Sequence, residues 1–131
     1  GNIGAKFVRV KERMHKAPRI PLSNNKTNMK EIILKISQKG FGCVGIINEN
    51  KNLVGIITDG DLRRNMADGI LEKNAEEVMI KNPKTILKNK YLKDALDVFN
   101  KEKITVLFVL NSSSSKNPIG IIHLHDCLTI N

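Results

Sequence analysis

The chain of 131 residues contains no tryptophan and one tyrosine, and aromatic residues make up 4% of it. Single-strand nucleic-acid binders offer aromatic platforms on which bases stack; with no such platforms and no RNP-type motif, nucleic acid is not expected as a partner. No apolar run approaches the roughly 18 residues of a membrane-spanning helix and no secretory signal opens the chain, so no membrane association is expected and the cytoplasm is the default location. There are only two cysteines, Cys43 and Cys127, both in apolar company, which predicts reduced core thiols. There is no glycine-rich P-loop, and no Ser-His-Asp or Cys-His constellation is suggested by order or spacing.

Positive charge is abundant. A formal charge of +9 is compatible with nucleic acid, an acidic membrane surface or small anionic ligands. The lysines are scattered, however: Lys26, Lys30, Lys35 and Lys39 along the solvated side of one predicted helix, and Lys84, Lys88, Lys90 and Lys93 around its counterpart. In a chain rich in Lys, Asn and Ile this reads as compositional bias, not as a patterned footprint.

The sequence repeats itself. Gly55-Ile56-Ile57-Thr58-Asp59-Gly60-Asp61-Leu62 returns 65 positions later as Gly120-Ile121-Ile122-His123-Leu124-His125-Asp126-Cys127. At the same offset Met14 matches Met79 and Pro18 matches Pro83, and the helices between match at an offset of 63. Met29, Ile32, Ile33 and Ile36 in one copy, and Leu92, Ala95, Leu96 and Phe99 in the other, follow the i, i+3, i+4, i+7 spacing of an amphipathic helix that must cover a sheet. Asn28 with Glu31 suits a capping box, and Gly40 a left-handed C-terminal cap. Apolar runs follow at Cys43 to Ile47 and Val106 to Leu110, then polar turns, then strands at Leu53 to Thr58 and Ile119 to His123. Each unit therefore reads strand, helix, strand, strand, helix. A unit of this size buries only about 60% of its unfolded surface, so two halves gain by packing together.

The strand-to-helix corners carry the candidate chemistry. The start of a helix offers unpaired N–H groups and a positive dipole end, which stabilise a phosphate by roughly 0.3 to 1 kcal/mol from the dipole alone. Thr58 adds a hydroxyl, and Arg63 and Arg64 add charge. Asp61 supplies two acceptor oxygens suited to the paired hydroxyls of a ribose, in charge-assisted bonds of roughly 1.5 to 3 kcal/mol each. The alternative is that Asp59 or Asp61 caps the helix and Gly60 permits the turn.

A hydrophobic-hydrophobic-[Ser/Thr]-x-x-Asp motif at Thr58 to Asp61 and its copy with His123 in the Ser/Thr place, each closing such a unit, resemble a tandem pair of CBS domains, or Bateman module. Arg13-Met14-His15, the segment Gly55 to Arg64, Glu77-Val78-Met79 with Asn82-Pro83, and the closing Gly120 to Asp126 are similar, more narrowly, to the C-terminal half of bacterial arabinose 5-phosphate isomerases. The resemblance covers nearly the whole chain. It implies an α/β fold of two CBS repeats packed about a pseudo-twofold axis, with repeats at residues 13–70 and 71–131 and residues 1–12 a linker or the leftover start of an expressed fragment.

In that family a sugar isomerase domain, which serves synthesis of the lipopolysaccharide sugar Kdo, precedes the CBS pair. Its catalytic residues have no counterpart here, so no catalytic activity is expected of these residues. The resemblance implies a regulatory module binding a nucleotide or nucleotide sugar such as AMP, ATP or CMP-Kdo in the cleft between repeats, with no cofactor required. The alternative is a structural dimerisation module without a ligand. Expected partners are a second copy, forming a homodimer, and the isomerase domain of the parent chain.

Carried over position by position, Thr58 and Asp61 match the phosphate-side hydroxyl and ribose carboxylate of the first repeat, with Arg64 beside them. Asp126 matches the carboxylate of the second, where His123 replaces the usual Ser or Thr, although His can still donate to a phosphate. Ile20, Thr85, Cys43 and Thr105 mark the segments expected to reach the base. His123, His125, Asp126 and Cys127 resemble a small ligand cluster, but zinc sites draw on two separated pairs and the only other histidine is His15, so no metal is expected. His15 is expected at a subunit interface.

Overall fold

Periodicity of 3.6 in two segments and of 2 in the flanking runs leads to a mixed α/β architecture. The computed structural model describes residues 7–128. These form two compact units. The first is Pro21–Pro83; the second joins the described residues before Pro21 to those from Lys84 onward.

The first unit contains β1 (Leu22–Asn24), α1 (Met29–Lys39), β2 (Cys43–Ile47), β3 (Leu53–Thr58), α2 (Asp59–Arg64), α3 (Ala75–Val78) and β4 (Ile80–Lys81). Its sheet runs β1-β2-β3-β4, with β1 parallel to β2 and the other pairs antiparallel. The second unit contains β5 (Thr85–Leu87), α4 (Leu92–Glu102), β6 (Val106–Leu110), β7 (Pro118–His123) and α5 (Leu124–Leu128). Its sheet runs β5-β6-β7, parallel then antiparallel. The predicted order of strand, helix, strand, strand, helix is thus present twice. The last strand of the second copy begins one residue earlier than expected, at Pro118, because a strand's first residue tolerates a missing N–H.

The helices bury the faces their spacing predicts. Met29, Ile32 and Ile36 of α1, and Leu92, Ala95 and Phe99 of α4, are buried, with Leu96 packed at the margin of its core. Burial of each large side chain contributes about 1.5 to 3 kcal/mol. Asn28 caps α1 by accepting the Glu31 N–H at 3.0 Å, and Gly40 ends it at φ 80°. Lys35 departs from the expected solvated row: its ammonium donates to the Leu22 carbonyl at 2.8 Å, tying α1 to β1.

Each core is completed by a segment lying outside its main helix and paired strands. Ala75, Val78 and Met79, which lead into the second repeat in sequence, pack against Ile32, Ile46 and Ile57 of the first unit. Val10 and Met14, which lead into the first repeat, pack among Leu92, Phe99, Leu107 and Ile122 of the second. The backbone follows suit. Ile80 pairs with Ile56, and His15 pairs with Ile121 through two bonds of 2.8 and 3.0 Å, so the two pairings are related by the same 65-residue offset.

Two glycines make room for these segments. A Cβ at Gly55 would lie 2.9 Å from Met79 Cβ, and one at Gly120 would lie 3.0 Å from Met14 Cγ and 3.2 Å from the His15 carbonyl. Gly55→Ala is therefore expected to lower stability by about 1 to 3 kcal/mol in urea denaturation, as overpacking does. Met79→Ala should then cost less in that variant than it does in the parent chain, a non-additivity that would be missing if the two side chains did not meet.

Candidate functional site

Both strand-to-helix corners follow from one local rule: a strand runs straight into a helix, and the residue at the junction must satisfy the helix's first donors. Thr58 is extended at φ −113° and ψ 168°, and the next residue's N–H is anchored to the strand opposite, Asp59 donating to the Gly42 carbonyl at 3.1 Å. In the second unit Leu124 donates to the Thr105 carbonyl at 2.8 Å. Cys43 stands opposite Thr58 across the β2–β3 ladder, as Val106 stands opposite His123.

At the first corner the Asp61 carboxylate is nearly enclosed, the residue being 3% exposed. Its Oδ2 accepts from the Thr58 N–H at 2.9 Å and from the Thr58 hydroxyl at 3.0 Å. The same hydroxyl accepts the Asp61 N–H at 3.3 Å, which closes a reciprocal capping box. Oδ1 accepts from the Arg64 guanidinium at 2.5 Å. The capping role weighed from sequence is thus formed, and it gathers Thr58, Asp61 and Arg64 into one cluster.

The second corner has the same carboxylate and different company. Asp126 Oδ2 accepts the His123 N–H at 2.8 Å, and His15 Nε2 lies 3.0 and 3.1 Å from the two carboxylate oxygens. Arg13 donates to the Asp126 carbonyl at 3.3 Å. His123 Nδ1 accepts the His125 N–H at 3.0 Å, so the ring is held as the neutral tautomer with its proton on Nε2, and the two imidazoles sit 4.5 Å apart. Burial first, then His125, push the His123 imidazole below its ordinary range, with His15 adding to the effect and Asp126 opposing it.

Sequence reasoning missed the role of His15, which meets Asp126 within its own chain. The signal was present: the match of Met14 to Met79 places the segment before residue 20 beside β7 as β4 lies beside β3. Thr85 opens β5 opposite Phe108, two residues along from Val106, and Ile20 closes the segment that precedes the first unit. Cys43 is a core residue, 1% exposed, and burial followed by the nearby Asp59 pushes its thiol up to about 12. Burial, then Asp126, push Cys127 up to about 11 against Arg13. Neither thiol is a nucleophile at neutral pH.

Among the described residues no group of three or more His, Cys, Asp or Glu is placed to hold a metal ion. Likewise, no helix there is long and apolar enough to cross a membrane. A groove of about 400 Å³ opens between α4 and the start of α5, lined by Leu96, Asp97, Phe99, Asn100, Ile104 and Leu124. It does not include the predicted ligand residues.

Comparison with known proteins bears on the family and the fold. The model of the CBS domain matches residues 10–68 and again residues 75–130. The arabinose 5-phosphate isomerase of Francisella tularensis is 38% identical over 133 residues, covering 99% of this chain and 40% of that protein. The chain spans about 40% of the length of the curated relatives it matches. Among solved structures, CBSX2 in complex with AMP superposes with a TM-score of 0.78 at 20% identity, covering 92% of this chain and 93% of the other. The CBS domain pair of a protein crystallised with 5′-methylthioadenosine and S-adenosyl-L-methionine gives 0.79 at 22% identity, with 91% of each covered.

The His123 environment fixes a sign for pH dependence. A histidine whose folded-state pKa lies below its unfolded value near 6.5 contributes stability that is present above that value and lost as pH falls through it. Thermal melts between pH 7.5 and 5 are expected to show a larger loss for the parent chain than for His123→Gln. Parallel curves would show that this imidazole does not titrate as its surroundings require.

Proposed function

This chain belongs to the CBS domain family, and we propose from that premise that it is a ligand-sensing regulatory module of an arabinose 5-phosphate isomerase. The ligand is a nucleotide or nucleotide sugar, of which AMP, ATP and CMP-Kdo are the candidates. The observation that carries the reading is the assembly of an acceptor, a hydroxyl and a permanent cation at one corner: the Asp61 carboxylate, Thr58 Oγ1 and the Arg64 guanidinium.

In this reading Asp61 receives the ribose hydroxyls, Thr58 turns its hydroxyl toward a phosphate, and Arg64 supplies charge to the same phosphate. Gly42 and Cys43 contribute backbone, since the Cys43 side chain is buried. The second corner, with His123 and Asp126, is a weaker site of the same kind, because the His123 Nδ1 is engaged and only the Nε2–H is left to donate. Thr85, Thr105 and Ile20 stand near the base. The chain performs no chemistry itself; it modulates the isomerase domain of a longer cytoplasmic parent and pairs as a homodimer. What supports the parentage is the similarity to the Francisella isomerase, and what supports the ligand class is the pair of solved structures holding adenosine compounds.

Isothermal titration with AMP, ATP, CMP and CMP-Kdo tests the reading, with Asp61→Asn alongside. The amide keeps an acceptor for the Thr58 N–H, so the variant should fold at a cost within about 0.5 to 2 kcal/mol while losing at least about tenfold in affinity. Unchanged affinity would remove Asp61 from the site. No heat with any ligand would leave a structural dimerisation module as the better account.

A further inference from the structure

The first corner holds more than a set of ligand groups; its parts compete. A carboxylate has about four lone-pair positions. Asp61 has three of them taken: two at Oδ2 by the Thr58 N–H and hydroxyl, and one at Oδ1 by Arg64 Nη2. A vicinal diol needs two. With Asp61 side-chain exposure at 4% and that of Arg64 at 69%, the guanidinium is the outermost of the three donors and the one a ligand would meet first.

Arg64 reaches Asp61 by folding back along its own helix. A Cβ placed on Gly60 would lie 3.2 Å from Arg64 Nη1, 3.5 Å from Nη2 and 3.6 Å from Thr58 Oγ1. The guanidinium therefore lies across Gly60, beside the Thr58 hydroxyl. It is permanently charged and most of its own surface faces water, so it can leave the buried carboxylate for another anion that reaches the corner. Once displaced from Oδ1 it remains above the same short stretch of backbone, where a second anion would find it.

We propose that Arg64 is a gate that makes this corner select ligands carrying both a vicinal diol and a nearby anionic group. The diol takes the carboxylate from Arg64, and the anion takes Arg64 from the carboxylate. A nucleoside gives the guanidinium no new partner, and a phosphate without a diol leaves Asp61 holding it. The inference rests on the nucleotide reading above and adds a prediction that reading does not make. A guanidinium serving only as a phosphate contact would leave nucleoside affinity untouched.

The test is titration of the 131-residue chain and of Arg64→Ala with adenosine and AMP at one ionic strength, after melts confirm that both proteins are folded. On loss of the side chain AMP should weaken by about tenfold while adenosine tightens by about threefold or more, so that the preference for the phosphorylated ligand collapses. Adenosine affinity that is unchanged or reduced in Arg64→Ala would overturn the gate and leave the nucleotide site standing. Equal tightening of both ligands would also overturn it, by showing that Arg64 blocks the carboxylate without ever meeting the phosphate. If neither ligand binds to either protein, the gate falls together with the nucleotide reading.

Discussion

The constraint on which the rest of the structure depends is that the main helix and paired strands of each unit do not by themselves complete its core. Ala75, Val78 and Met79 complete the hydrophobic cluster built on α1, β2 and β3, and Val10 and Met14 complete the one built on α4, β6 and β7. A unit of about 60 residues is marginal on burial alone, and one stripped of its last core segment is more so. Completion by an added segment is therefore what makes each unit a whole. It also explains Gly55 and Gly120, which are needed not for a turn but for the close approach of a methionine from the added segment.

The corners show how one local solution supports different chemistry. In each, the third helical residue is an aspartate whose carboxylate reaches back to the N–H of the residue ending the strand. That bond is dictated by the orphan donors of any helix start and would form with no ligand in prospect. What varies is the next partner of the carboxylate: Arg64 on the same helix in one case, His15 from the added segment in the other.

Much of this was legible in the sequence because it depends on spacing. The i, i+3 and i+7 positions of α1 and α4 are buried while Ile33 and Leu96 at i+4 are only partly covered, and the 65-residue repeat aligns the two corners. Lys35 was misread as solvated because a helical pattern says which face a residue is on, not whether its four-carbon stem reaches a carbonyl of the neighbouring strand. The contact of His15 with Asp126 is hidden for a different reason. Its partner lies 111 residues away, and only recognising that the lead segments pack on opposite repeats brings the two together. The enclosure of Asp61 was equally invisible, since burial is a property of the assembled corner and the motif reads the same whether its carboxylate is open or covered.

The two carboxylate contacts therefore live on different links of the chain from sequence to fold. Asp61 and Arg64 are three residues apart, so their contact forms as soon as α2 does and adds to that helix alone. Asp126 and His15 cannot meet until the segment around Val10 has docked and β7 has paired with His15, so their contact adds to tertiary structure and carries loop closure with it. One corner is thus held by a partner on its own helix, the other by a partner from a distant segment. The two copies share the carboxylate and differ in the side chain that meets it.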